Sequence, residues 1–309
     1  MNSKRIKKYL WVLLYVCAGG FLVYYLVKYT GTSLSLLSLH IVPYLLGALA
    51  LNFVTFFFAA FAWAFMVKRH FPETRTGQLV KSYYISQITR YVPGNVWSFV
   101  ARYKNVKQLG VKGQAIGFYL AVENINLILT AFIFAFFSIA ILGKGYTIPV
   151  IGLAIFLGVL FGVLLFKPEL FKKVLQVFAK KFKSDISYDN LTKSDLLIVC
   201  ILYLLYWISF GFGFYLLVLG GIGNTLSPIA SIGVNAAAWV IGYVSFLTPS
   251  GLGVREGIFV LILSKYTSPV HALGIAILAR FILLLAEVSG LGVSAIWGKG
   301  EDHKIEERA

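Results

Sequence analysis

The sequence predicts an all-α polytopic membrane protein with about six full spans plus two re-entrant broken-helix hairpins (or eight spans), organised as an inverted internal repeat. Three observations carry this prediction. Of 309 residues, 59% are apolar and only 13% charged, whereas a soluble domain is about half apolar because it must dress its surface. Apolar runs of about 20 residues, each long enough to cross a bilayer as a helix, recur along the whole length. Two further apolar regions are interrupted by proline and glycine, and the interruptions fall at matching places in the two halves. A transmembrane barrel would show short alternating segments instead, and none occurs.

The elements follow in order. Lys4, Arg5, Lys7 and Lys8 precede an apolar run over 9–27. That run is too long for the core of a signal peptide and lacks a small-x-small cleavage site, so it reads as a retained first span. Further spans are expected at 40–67, 114–142, 148–166, 195–219 and 269–297. Between them lie the odd regions. The first, 79–103, contains Tyr91-Val92-Pro93-Gly94-Asn95; the second, 228–264, contains Thr248-Pro249-Ser250-Gly251-Leu252-Gly253-Val254-Arg255-Glu256-Gly257.

Charge orients these elements. The net charge of +16 suggests nucleic acid at first sight, but the basic residues concentrate at 1–9, 68–112, 167–194 and the C-terminus. That is the distribution of cytoplasmic loops under the positive-inside rule, so no nucleic-acid partner is expected. With both termini cytoplasmic and each odd region drawn as a hairpin, only Lys28, Lys144 and Lys265 fall outside. Two crossings in place of a hairpin leave every other loop on the same side, so charge does not separate the two drawings. Phe171–Phe182 alternates apolar residues and lysines at helical spacing and reads as an amphipathic helix on the inner leaflet.

The odd regions begin a repeat. Ala115-x-Gly117 is followed six residues later by Glu123, and Ala272-x-Gly274 six residues later by Arg280. The offset is 156–157 residues at both the proline–glycine break and this second anchor. The halves cover about 79–142 and 228–297 of a single domain, 1–300, with 301–309 a cytoplasmic tail. Inverted repeats with broken helices are a recurrent transporter architecture.

The breaks have chemical consequences. Pro249 removes a backbone donor and clashes with the preceding turn, while Gly251 and Gly253 weaken helix continuation. Polar backbone freed in this way survives in a bilayer only when packed in protein or lining a wet cavity. A helix restarting near Leu252 would present unpaired N–H groups, which bind anionic oxygens. Pro93, Gly94, Asn95 and Ser98 offer the same at the first break. An ordinary water-facing turn is the alternative, and the apolar flanks 244–247 and 258–263 argue against it.

Arg90, Arg102, Glu123, Arg255, Glu256, Arg280 and Glu287 sit among apolar residues, where an unpaired charge costs at least about 2.5 kcal/mol. Arg280 and Glu287, seven residues apart, share a helix face. Arg255 and Glu256 are neighbours that point apart, so each needs another partner. Glu123 and Arg280 occupy matching repeat positions and are expected to approach each other across the pseudo-twofold. Arg90 and Arg102 either line the cavity or snorkel to the headgroups. Arginine suits phosphate because its planar fork matches the oxygens and keeps its charge.

Other chemistry is absent from the pattern. His40, His70, His271 and His303 lack metal-ligand spacing, and Cys17 and Cys200 imply no disulfide framework. No phosphate-binding loop, Ser/His/Asp grouping or HExxH occurs. No cofactor, metal or catalytic residue is expected, and the chain reads as a transporter, not an enzyme.

Arg90-Tyr91-Val92-Pro93-Gly94-Asn95-Val96-Trp97 and the stretch Thr248–Gly257 resemble the two signature regions of the lysylphosphatidylglycerol synthase transmembrane-region family, also called flippase-like proteins. The resemblance covers roughly 8–298, and the second motif is the more specific. In the best-known members this region moves aminoacylated phosphatidylglycerol to the outer leaflet, and a separate soluble domain makes that lipid. Only twelve residues follow the expected last span, so the expectation is translocation without synthesis. The resemblance implies a flippase of the inner (cytoplasmic) cell membrane for a phospholipid or another anionic-headgroup lipid, polyprenyl-linked lipids included. It places Arg255 and Glu256 at the best-matched positions. A membrane enzyme, or an accessory scaffold in lipid-headgroup or polyprenyl-phosphate-sugar metabolism, is the alternative. Expected partners are the lipid itself, a second copy of the chain, and a separate lipid synthase or glycosyltransferase.

Overall fold

The computed structural model describes residues 39–92, 96–142, 192–244 and 248–306. The expected spans 9–27 and 148–166, the amphipathic segment 171–182, and Pro93, Gly94 and Asn95 lie outside the described residues. Those described form eight α-helices and no strand. They are α1 (Val42–His70), α2 (Thr76–Thr89), α3 (Trp97–Lys107), α4 (Gly113–Leu142), α5 (Lys193–Ile222), α6 (Pro228–Val244), α7 (Val254–Leu263) and α8 (Pro269–Glu306). α1, α4, α5 and α8 are long and apolar enough to cross a membrane and match four of the six expected spans. α8 continues to Glu306, beyond the end expected at 297. α2, α3 and α7, at 14, 11 and 10 residues, fall short of the usual spanning length.

The helix ends are legible in the chain. α1 opens with proline in its first turn and ends on Lys68-Arg69-His70, whose charge suits the negative end of the helix dipole. α5 is started by Thr192, whose Oγ1 accepts from Asp195 N at 3.2 Å while Asp195 Oδ2 accepts from Thr192 N at 3.0 Å. It stops at Gly223, which takes φ 74°.

Contacts at the ends of α1 and α5 establish the inversion. Arg69, at the C-terminus of α1, pairs with Asp195 in the first turn of α5 at 3.3 Å. At the opposite end His40 Nε2 donates to Gly220 O at 3.2 Å. The two helices are therefore antiparallel. Each is followed by the same series of short helix, break, short helix and long helix. The pairing is reciprocal: α2 packs on α8, and α6 on α4. α1 and α5 precede the halves read at 79–142 and 228–297 and stand in the same order ahead of each.

Lipid tails are as apolar as leucine, so helices in a bilayer associate through close packing and a few polar contacts. Small residues supply the closeness. A methyl group added at Gly213 would lie 2.9 Å from Asn52 Nδ2, and one at Gly211 only 2.3 Å from Ile232 Cα. The core sits where α1, α4, α5 and α6 meet. There the fully buried Trp207 donates from Nε1 to Thr130 Oγ1 at 3.0 Å and stands edge-on to Trp239, with ring centres 5.3 Å apart.

Candidate functional site

Both breaks turn the chain back on itself. Arg102 on α3 donates from Nε and Nη2 to Ser86 Oγ on α2, at 2.9 and 2.7 Å, so the arms lie side by side. At the second break, Pro249–Gly251 form a single 3₁₀ turn. Ser250 takes φ 54°, Gly251 φ 67° and Gly253 φ 83°. A methyl group at Gly251 would lie 2.9 Å from Gly242 Cα, so α6 and the turn touch backbone to backbone. Gly251→Ala combines a disfavoured backbone angle with an overlap that no side chain can relieve. It is expected to destabilise the fold by about 1–3 kcal/mol, read as a lowered melting temperature in detergent.

The buried charges sort into pairs. Arg90 pairs with Glu287 of α8 and donates from Nη1 to Gln87 Oε1 at 2.9 Å. Arg102 pairs with Glu123 of α4, and its guanidinium lies 4.8 Å from the Trp63 ring centre and 4.5 Å from that of Tyr83. Arg102 is thus buried and saturated, a strut between α3 and α4, and does not snorkel. Arg280 of α8 donates from both Nη atoms to Ser250 O at 3.2 Å and stands 3.6 Å from Glu256 Oε1. It holds the strained turn by its carbonyl.

The expected approach of Glu123 to Arg280 is corrected here. Glu123 pairs with Arg102 and Arg280 with Glu256, so each of these two charges is met by the second hairpin arm of its own half. The repeat conserves the bridge and reverses its polarity. The physical reason is reach, since the neighbouring arm packs directly against the long helix.

A second expectation also changes. α7 begins at Val254, and the N–H of Gly253 donates to Glu256 Oε2 at 2.7 Å. The helix start is thus met by the chain's own carboxylate, which occupies the place an external anion was expected to take.

Arg255 differs from the other three arginines. It is 6% exposed. Its Nε, like that of Arg90, has no hydrogen-bond partner, and among the described residues it alone of the four has no carboxylate within 4.0 Å of its guanidinium. Its stem crosses Gly242, where an added methyl group would lie 2.6 Å from Arg255 Cγ. The Phe210 ring centre is 5.6 Å from Cζ. Arg255 lines a cavity of about 190 Å³ between the two hairpins, together with Arg90, Arg102, Glu123, Gln87 and Ser98.

Of the residues singled out in the sequence, Arg90, Ser98, Arg102, Glu123, Arg255 and Gly251 border this cavity. Glu256 and Arg280 border a second space, of about 20 Å³, on the other side of Arg255. The remaining wall of the larger cavity, including Tyr83, Asn124, Tyr206, Trp239 and Tyr243, carried no sequence signal. Tyr243 donates to Asn124 Oδ1 at 2.7 Å, joining the halves across the cavity. Aromatic residues in apolar helices read as core from sequence, and only the packing shows these beside a polar space.

The family model for the lysylphosphatidylglycerol synthase TM region matches residues 9–288. The chain belongs to this family. The match runs over both hairpins, three of the four described spans and the first part of the fourth, so the break-and-cavity architecture lies within the family region. This member of the lysylphosphatidylglycerol synthase TM-region family is a multi-pass membrane protein. No curated protein matches the chain.

Proposed function

We propose that the protein moves an anionic-headgroup lipid between leaflets, with the headgroup entering the cavity between the hairpins and the tails remaining in lipid. The observation that carries this reading is Arg255, a buried cation beside a cavity lined in part by polar side chains and without a carboxylate partner among the described residues. Such a charge is costly in a membrane unless something meets it, and intramembrane ionisable groups mark substrate pathways. A phosphate oxygen pair fits the arginine fork. Val92, Val96 and Trp97, exposed beside the first break, offer an apolar border for the acyl chains. In this reading the hairpins are re-entrant, the membrane is the cell membrane with both termini cytoplasmic, and the lipid leaves chemically unchanged. The family description, which refers to a lysylated phospholipid, supports a lipid as the ligand.

The test is leaflet exchange in proteoliposomes. Acyl-labelled phosphatidylglycerol is expected to cross faster with protein than in empty vesicles, and mass spectrometry is expected to recover it unmodified. Exchange no faster than in empty vesicles contradicts translocation, and a modified product shows an enzyme instead.

A further inference from the structure

We infer that the site takes a lipid phosphodiester whose headgroup carries one net negative charge and no ammonium, and that it excludes the lysylated lipid of the family's name. This rests on the translocation reading above. The argument is a charge balance. Four arginines, Arg90, Arg102, Arg255 and Arg280, are buried or partly buried at the breaks, and three glutamates, Glu123, Glu256 and Glu287, are buried with them. Three pairs cancel, which leaves one positive charge, and it resides on Arg255. The break residues outside the described set, 93–95 and 245–247, are uncharged.

A phosphodiester brings one negative charge and neutralises the cluster. A phosphomonoester brings about 1.5 to 2 at neutral pH and overshoots. A zwitterionic headgroup brings zero, and a lysylated one is net positive. Both also need a carboxylate for their ammonium groups, and among the described residues each buried glutamate of the cluster is already paired with an arginine. Glu123 is held by Arg102 and Glu287 by Arg90. Glu256 is held by Arg280 and by the Gly253 N–H. Like charge facing an unpaired buried arginine is repelled, so the cavity selects by net charge and not by headgroup shape.

Ser98 provides the discriminating variant. It lines the cavity and is only half-buried, so Ser98→Asp adds a carboxylate without disturbing an ion pair. Acyl-labelled phosphatidylglycerol, phosphatidylethanolamine, phosphatidic acid and lysylphosphatidylglycerol would be compared in proteoliposomes at pH 8. The native protein is expected to exchange phosphatidylglycerol at least about tenfold faster than the other three, an energy difference of about 1.4 kcal/mol. Ser98→Asp is expected to slow phosphatidylglycerol and raise the lysylated lipid relative to it. Exchange of phosphatidylglycerol with the others equally fast, or a ranking unchanged in Ser98→Asp, overturns the charge balance and leaves translocation standing. Exchange of none of the four overturns the translocation reading, and this inference falls with it. Should the variant fail to fold, the native ranking alone decides.

Discussion

Arg255→Gln is expected to reduce lipid exchange about a hundredfold, to the rate of empty vesicles, while the folded protein stays at least as stable as the native one. The two effects separate because, among the described residues, the charge of Arg255 meets no carboxylate in the fold, only the Phe210 ring. It is buried, its Nε is unpartnered, and it has no ion pair among the described residues. Removing an uncompensated charge from a low-dielectric site lowers a cost instead of adding one. The loss of exchange follows from two charge-assisted hydrogen bonds to phosphate oxygens, at about 1.5 kcal/mol each at the low end. Arg255→Lys keeps the charge and loses the bidentate fork, so it is expected to fall between the two. The measurement is a paired one, exchange rate and melting temperature on the same preparation. A large drop in melting temperature would assign Arg255 a structural role.

Glu123→Ala is expected to have the opposite profile, with a loss of stability of about 3–5 kcal/mol. Arg102 would keep Ser86 and the Trp63 and Tyr83 rings but lose its only ion-pair partner among the described residues, and it is only 4% exposed. The double variant Glu123→Leu/Arg102→Met removes both charges and is expected to recover most of that loss, since well-packed apolar replacements of a buried pair are often neutral. Equal melting temperatures for native protein and Glu123→Ala would contradict the strut assignment. Failure of the double variant to recover would place the cost in packing and not in charge.

These contrasting roles define what was legible in the chain. The breaks themselves were, because proline and glycine interrupt a helix and charge is costly inside an apolar run. The inverted repeat was read from two anchors in register, and in the structure α1 and α5, ahead of the two halves, run antiparallel. Which charges pair was not legible. Glu123 and Arg280 match by repeat position, yet pairing is set by which arm packs against which long helix, a fact of three-dimensional register. Sequence set Arg255 apart from Arg102 by its place in the more specific motif, but it could not show what meets each guanidinium. One is met by Phe210 and a cavity, the other by Glu123, Ser86 and two rings. The helix start at Val254 is a similar case. By sequence Glu256 awaits a partner on another element, and in the structure it serves the Gly253 N–H of its own helix as well as Arg280.

The central claim is that an anionic headgroup occupies the place Arg255 leaves unpaired. A cryo-EM structure of the protein in nanodiscs of phosphatidylglycerol tests it most directly. The predicted result is headgroup density in the cavity between the hairpins, with a phosphate oxygen about 2.8 Å from the Arg255 guanidinium. A guanidinium paired with a protein carboxylate, or a cavity empty of lipid beside ordered acyl chains elsewhere, would contradict it.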